Sequence, residues 1–282
     1  MRIKALAGVT IVTPDLDAAI AAYGAFLGYA GAAPKPVGAA RAALWGCPQA
    51  AGARMAVLYP ESGETRFIRL VEGQPSPDHR PLGSFGWSAA EIVVQDLDAV
   101  AARLASSPFE IIGPPAVLDF DFTDKIRAMQ VLGAGGEVLY LTEIGAEIPG
   151  FALPDAKSFV GQLFIMVLGG RSIAEAAAPY ARLGRAAGEP IVARIEVLSR
   201  AHGLPPALRH SLSTIALDEA SLIEVDAFPA SATARPASSI GLPCGIAMAS
   251  FTAEALADGA DGVLLQGDAG ELIELIRSDT IK

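Results

Sequence analysis

The chain has 282 residues, 52% of them hydrophobic and 18% charged, with a formal net charge of −10. That length exceeds what one hydrophobic core usually serves, so two domains or one internally duplicated domain are expected. The negative surface repels phosphate backbones, which argues against nucleic acid and anionic membranes as partners, and no apolar run approaches the ~20 residues of a membrane span.

Cys47 and Cys244 lie far apart without CxxC spacing and read as free thiols in a reducing compartment. MRIKALAGVTIV passes directly into strand-like alternation, with no h-region or cleavage site, so a cytoplasmic location is expected.

In chain order, Val9, Ile11 and their neighbours alternate like a strand. Thr13-Pro14-Asp15 then supplies a helix start, with Thr or Asp as N-cap and proline in the first turn. Ile20, Tyr23, Phe26 and Leu27 recur at helical spacing, and Gly28 closes the helix. A Gly-, Pro- and Ala-rich loop follows, with a candidate strand at Arg41–Trp45. Arg54–Tyr59 and Arg66–Val71 form a hairpin signal around Pro60-Glu61-Ser62-Gly63.

The cycle returns with a strand at Ala90–Val94, a corner at Asp96-Leu97-Asp98, a helix at Ala99–Leu104, and a hairpin of Ile126–Leu132 with Glu137–Glu143. The GAGG between those strands is a hairpin turn and not a phosphate loop, because no helix follows it. Segment 151–157, with its Pro154-Asp155 pair, reads as a linker. A third cycle has a strand at Leu163–Leu168, a corner at Gly169–Ser172, a helix at Ile173–Leu183 ending on Gly184, and a hairpin of Ser211–Leu217 with Ser221–Ala227. A shorter fourth begins at Gly245–Met248 and ends with the hairpin Gly262–Gln266 and Glu271–Ile276.

Longer stretches repeat as well. RFIRLVEGQPSPDHRP from Arg66 parallels SLIEVDAFPASATARP from Ser221, and GAGGEVLYL from Gly133 parallels GDAGELIEL from Gly267, in the same order. The fold class expected is therefore α+β, with four βαβββ modules at about 1–75, 82–150, 158–230 and 240–282. They group as two pairs, 1–150 and 158–282, around the linker.

With TPDLDAAIAAYGAFLGY, QDLDAVAARL, GGEVLYL and GDAGELIEL placed, the chain resembles the vicinal oxygen chelate superfamily, which includes glyoxalases, bleomycin-resistance proteins and extradiol dioxygenases. The resemblance covers nearly the whole chain. It implies that each module pair curls into a cup-shaped, incompletely closed barrel around a pocket, on a frame that hosts many chemistries.

Metal-using members of that superfamily draw ligands from first-strand histidines and last-strand glutamates. The matching positions in the first pair are Gly8 and Ala89, then Arg69 and Tyr140. Glycine and alanine offer no donor atom, and arginine brings a positive charge to where a cation would sit. The second pair carries Glu224 and Glu274, but its first-strand positions fall near Phe164 and near Cys244 or Gly245. None is an imidazole. His79 lies in a loop, His202 near a helix end, and His210 two same-face steps beyond the residue facing Glu224. No metal and no other cofactor is expected. Glu224 and Glu274 are the remaining metal candidates, and read more simply as rim remnants, solvated or paired with Arg194, Arg209 or Arg235.

A metal-free first cup would work through Glu91, Tyr140 and Arg69, with Trp45 and Trp87 as aromatic walls. Arg69 can clamp a carboxylate or phenolate oxygen, Tyr140 can donate a proton or orient a substrate oxygen, and strand alternation points Glu91 into the cup, where burial raises its pKa and makes it a base. The bland alternative is an Arg69–Glu91 ion pair with Tyr140 packed on it. LDFDFTDKIR reads as a solvated loop, or as a lid whose Phe120 and Phe122 touch ligand. The function expected is metal-independent proton transfer, as a lyase or isomerase, on a small apolar or aromatic oxygenated substrate. The alternatives are a non-catalytic binding or resistance (sequestration) protein, and a metal-dependent extradiol dioxygenase or glyoxalase. A small molecule is the expected partner; a homodimer is compatible with the resemblance and not required by it.

Overall fold

The computed structural model describes residues 1–254, 256 and 262–277. The first module has β1 (Arg2–Thr13), α1 (Leu16–Leu27), β2 (Tyr29–Gly31), β3 (Lys35–Pro36), α2 (Ala39–Leu44), β4 (Arg54–Pro60) and β5 (Phe67–Glu72). The second has β6 (Gly86–Val94), α3 (Leu97–Leu104), β7 (Glu110–Val117), β8 (Ile126–Leu132) and β9 (Val138–Ile144). The third has β10 (Val160–Gly170), α4 (Ile173–Arg182), β11 (Ile191–Arg194), α5 (Glu196–Ala201), β12 (Arg209–Leu217) and β13 (Ser221–Ala227). The fourth has β14 (Ile246–Glu254), β15 (Val263–Gln266) and β16 (Leu272–Ile276).

The corners are built as their residues require. Asp15 and Asp96 are extended N-caps whose carboxylates accept the backbone N–H of Ala18 and Ala99, each at 2.9 Å, and Ser172 caps α4 in the same way. Pro14 therefore stands just before the cap, not inside the first turn. Gly28 closes α1 in the left-handed conformation at φ 69°, which a side chain would strain. Arg41–Trp45 is not a strand. AARAAL forms α2, because an alanine-rich run favours helix when no neighbouring edge recruits it.

The sheets do not follow the expected division at 151–157. One runs β15-β16-β14-β1-β5-β4-β2, with β3 on β4, and the other runs β11-β12-β13-β10-β6-β9-β8-β7. The cups therefore combine the outer modules, first and fourth, and the inner modules, second and third. The reason lies in the first strands. Each is bonded in parallel to its own module's last strand, as β1 is to β5 and β6 to β9, and its other edge must find a partner. β1 takes β14, with Gly8 facing Ser250, and β6 takes β10, with Ile92 facing Leu163.

The duplicated Pro-containing stretches turn out to be the two crossovers between sheets. They run side by side: Ser84 bridges Thr233 in parallel, Ser239 Oγ accepts from Gln74 N, and Cys244 Sγ accepts from Ser76 N. One core lies between the sheets, joining Tyr23 and Leu27 of α1, Leu97 and Leu104 of α3, and Tyr180 of α4. Smaller clusters line each cup. No helix among the described residues is long and apolar enough to cross a membrane.

The duplicated GAGGE and GDAGE turns perform one task twice. Glu137 accepts the hydroxyl of Tyr23 at 2.9 Å and the N–H of Gly135; Glu271 accepts the hydroxyl of Tyr180 at 3.1 Å and the N–H of Ala269. Each bond ties a helix of one sheet's module to a turn of the other sheet. Burial pushes both carboxyls up from 4.5 to about 7, against the hydrogen bonds, which pull down. A carboxyl with a raised folded pKa holds its proton longer folded than unfolded. Its stabilising contribution is therefore present below pH ~4.5 and is lost as pH rises to ~7. Urea unfolding should show stability falling over that window, with a shallower fall in the Glu137→Gln, Glu271→Gln double variant. Tyr23→Phe or Tyr180→Phe should cost roughly 1–3 kcal/mol by stranding a buried acceptor.

Candidate active site

Neighbours across a parallel ladder share a face, so register decides which side chains meet. In the inner cup, Glu91 on β6 stands beside Tyr140 on β9, and Thr142, two residues along β9, donates its hydroxyl to Glu91 Oε1 at 2.5 Å. Across the cup, Glu224 on β13 faces Thr214 on β12, and Asp226 lies on the same face two residues on. Glu91 and Asp226 are buried, and Glu224 is half-buried against the cavities.

Three carboxyl groups thus share one apolar interior, and no ion pair among the described residues includes any of them. Their protonation follows. Burial, then the charge of Glu224, raises Glu91 to about 8, although the Thr142 bond lowers it. Asp226 rises to about 7, chiefly by burial. Glu224 is raised well above the carboxylate range by burial and then by Asp226. Tyr140 is also raised, by burial and then by the neighbouring acids, and so stays a hydroxyl donor. Acids this close release their protons as one coupled set.

Two cavities, of about 60 and 190 Å³, meet this cluster, and Glu91, Glu224, Leu118, Phe120 and Leu212 line both. Tyr140, Gln130 and Arg194 belong to the larger one; Thr142, Thr214, Phe122, Phe151 and Phe164 belong to the smaller. The segment carrying Phe120 and Phe122 covers the cup. Phe120 stacks on Phe122 at 5.1 Å and Phe122 on Phe151 at 5.5 Å. Its charges are not merely solvated: Asp119 pairs with Arg194 at 3.8 Å and Arg209 at 3.5 Å, and Asp121 pairs with Arg209 at 3.2 Å. The second module's loop is thereby strapped to the third module's β11 and β12.

The outer cup is filled differently. Arg69 Nη1 donates to Glu274 Oε2 at 3.0 Å and to Thr10 Oγ1 at 3.1 Å, with both charged side chains at most 4% exposed. Ser250 and the Trp45 indole N–H also donate to Glu274, and the Arg69 guanidinium lies over the rings of Phe67 and Trp45. Burial pushes Glu274 up, but Arg69, Ser250 and Trp45 together hold it below the usual carboxylate value. Every acceptor here is satisfied.

Of the residues singled out from sequence, Glu91, Tyr140, Phe120 and Phe122 share the inner cup. Arg69 and Trp45 do not: they belong to the outer cup, so the expected Arg69–Glu91 contact is replaced by Arg69–Glu274. Trp87 is packed in the core, edge-on to Tyr180, with its N–H on the Leu272 carbonyl. Glu224 and Glu274 sit in different sheets and cannot share an ion. Neither is a rim remnant, and Arg194, Arg209 and Arg235 pair with neither. Thr214 faces Glu224 as the hairpin pairing predicts; Asp226 and Thr142 were not singled out, although SLIEVDA already shows two acids at period two in an apolar strand.

The ligand sets of metal-using members do not fit these residues. In the outer cup the Phe67 ring occupies the first-strand position, 2.5 Å from where a Cβ on Gly8 would lie, and the guanidinium holds the carboxylate. In the inner cup no imidazole approaches: His210 Nε2 bonds Ser199 Oγ at 2.7 Å. Among the described residues, no group of three His, Cys, Asp or Glu side chains is arranged to hold a metal ion.

The chain is similar to glyoxalase I from Zea mays: a variant of that enzyme aligns with 14% identity over 99% of this chain and 95% of the other, at a TM-score of 0.63, and a second glyoxalase I structure aligns at 0.62. A candidate dioxygenase from Bacillus subtilis aligns with 10% identity over 98% of this chain and 86% of the other, at 0.62. No protein-family model and no curated protein matches the sequence. The chain has the vicinal oxygen chelate fold, as four modules in two incomplete barrels.

Because the outer pair is buried, removing either partner strands the other. Glu274→Gln or Arg69→Met should each lower unfolding free energy by roughly 3–5 kcal/mol, while Arg69→Met combined with Glu274→Leu should recover most of that loss. Single variants within 1 kcal/mol of the parent would refute the locked pair.

Proposed function

We propose that the inner cup is the active site of an enzyme that moves a proton on a small, largely apolar, oxygenated substrate without a metal ion. The supporting observation is Glu91: a buried carboxyl with no cationic partner, oriented by Thr142, at the junction of two cavities, with its pKa near 8. A group so tuned can take up and return a proton near neutral pH.

The larger cavity suits a single ring or short chain, since an apolar hole of ~150 Å³ holds a benzene. In its ionised form Glu91 abstracts a proton from a carbon beside a carbonyl. The freed electron pair moves to the carbonyl oxygen, which Tyr140, held as a hydroxyl, stabilises by donating a hydrogen bond. Return of the proton from Glu91 to a different carbon gives isomerisation; expulsion of a group from the neighbouring carbon gives a lyase. Glu224 and Asp226 titrate with Glu91 as one coupled set, and their charge sets its proton affinity. In this reading the anchoring role expected of Arg69 falls to Gln130 and Arg194, which line the larger cavity. The buried free thiols Cys47 and Cys244 accord with a cytoplasmic setting.

A second reading is ligand sequestration without chemistry, favoured by the stacked Phe120, Phe122 and Phe151 at the mouth. Solvent deuterium incorporation into a panel of aryl ketones and enones, followed by NMR, separates the two. Catalysis predicts exchange that falls by roughly 10²–10⁴ in Glu91→Gln with binding retained. Binding with no exchange supports sequestration.

The pH dependence carries a further expectation. The rising limb of the exchange rate should lie near pH 8. It should move to lower pH in Glu224→Gln, because removing a neighbouring negative charge eases ionisation of Glu91. Elemental analysis should find no stoichiometric metal, and chelators should leave exchange intact; one equivalent of an activity-sustaining ion would overturn the mechanism.

A further inference from the structure

A separate cavity of about 630 Å³ shares no lining residue with the carboxyl cup. It lies where the second crossover meets the β15–β16 turn, and its walls include Trp45, Phe85, Trp87, Arg171 and Arg235. Neither arginine has a carboxylate partner among the described residues. Half-buried Arg235 donates only to neutral carbonyls: Nε to Phe85 at 3.2 Å, and Nη1 and Nη2 to Cys244 and Ser84 at 3.4 Å. Arg171 is exposed and lies over the Phe85 ring at 4.7 Å, which leaves the edge of its guanidinium free.

The acids on the same wall do not neutralise them. Asp268 is paired with Arg182 at 3.3 Å. Glu271 already accepts from Tyr180 and Ala269, and burial raises it to about 7, so it is only partly ionised at neutral pH. Burial lowers Arg235 to about 10, which leaves it fully charged there. The cavity is a positive recess in a chain of net charge −10, bounded by apolar groups from Phe85, Ile246, Leu264 and Leu265.

We propose that this cavity is a second ligand site, which binds a small organic oxyanion through Arg171 and Arg235 with its apolar portion against Phe85. Planar guanidinium forks suit carboxylate and phosphate oxygens alike. Polyanions are excluded by the charge of the rest of the surface.

The chain has two tryptophans, and both line this cavity, so tryptophan emission reports on it. Titration of the intact protein with benzoate, phenyl phosphate, inorganic phosphate and neutral benzyl alcohol tests the site. A saturable change with benzoate or phenyl phosphate, weakened by added salt and absent with benzyl alcohol, is expected. A response to benzoate alone identifies a carboxylate site, and a response to phenyl phosphate alone a phosphoester site. Affinity should fall about tenfold or more in Arg171→Gln and in Arg235→Gln, and should be unchanged in Glu91→Gln, which keeps this result independent of the inner cup. Should Arg235→Gln fail to fold, exposed Arg171 decides the matter by itself. No saturable response to any anion, or equal affinity in Arg171→Gln, would overturn the proposal.

Discussion

The free edge of each module's first strand is the constraint from which the rest follows. A βαβββ unit bonds that strand to its own last strand on one side and leaves a row of unpaired N–H and C=O groups on the other, which buried surroundings cannot tolerate. Pairing β1 with β14 and β6 with β10 removes both edges. The same pairing decides which side chains face one another: it brings Glu274 to Arg69, and Glu224 and Asp226 to Glu91.

Two cups of one architecture therefore hold opposite chemistry. Where an arginine stands on the last strand, the facing acid is ionised, fully bonded and shut away beneath Trp45 and Phe67. Where a tyrosine stands at that position, no ion pair among the described residues holds the acids, burial raises their proton affinity, and a cavity remains beside them. Opposite charge in a buried place gives a lock; like charge in a buried place gives a proton reservoir.

Much of the local structure was legible in the sequence. Asp15 and Asp96 announced their helices, the strand Ser221–Ala227 kept its limits, and alternation along β6 placed Glu91 on the cup face. These depend on neighbours a few residues away. Module pairing does not, because joining two first strands edge to edge leaves no mark within either one. Reading consecutive modules as partners therefore put Arg69 beside Glu91 and hid the Glu91–Glu224–Asp226 group, although each acid was in plain view. AARAALW failed for another reason: it holds four alanines and no β-branched residue, a composition that favours helix, and the expectation of a flanking strand overrode it.

The pairing of β1 with β14 also sets an order of events on the ribosome. The inner sheet can close once β13 has emerged, but β1 waits with an open edge until β14 has been made. The earliest strand of the outer sheet thus waits longest for its neighbour, and during that interval its apolar ribbon offers newly made chain an edge that a chaperone could cover.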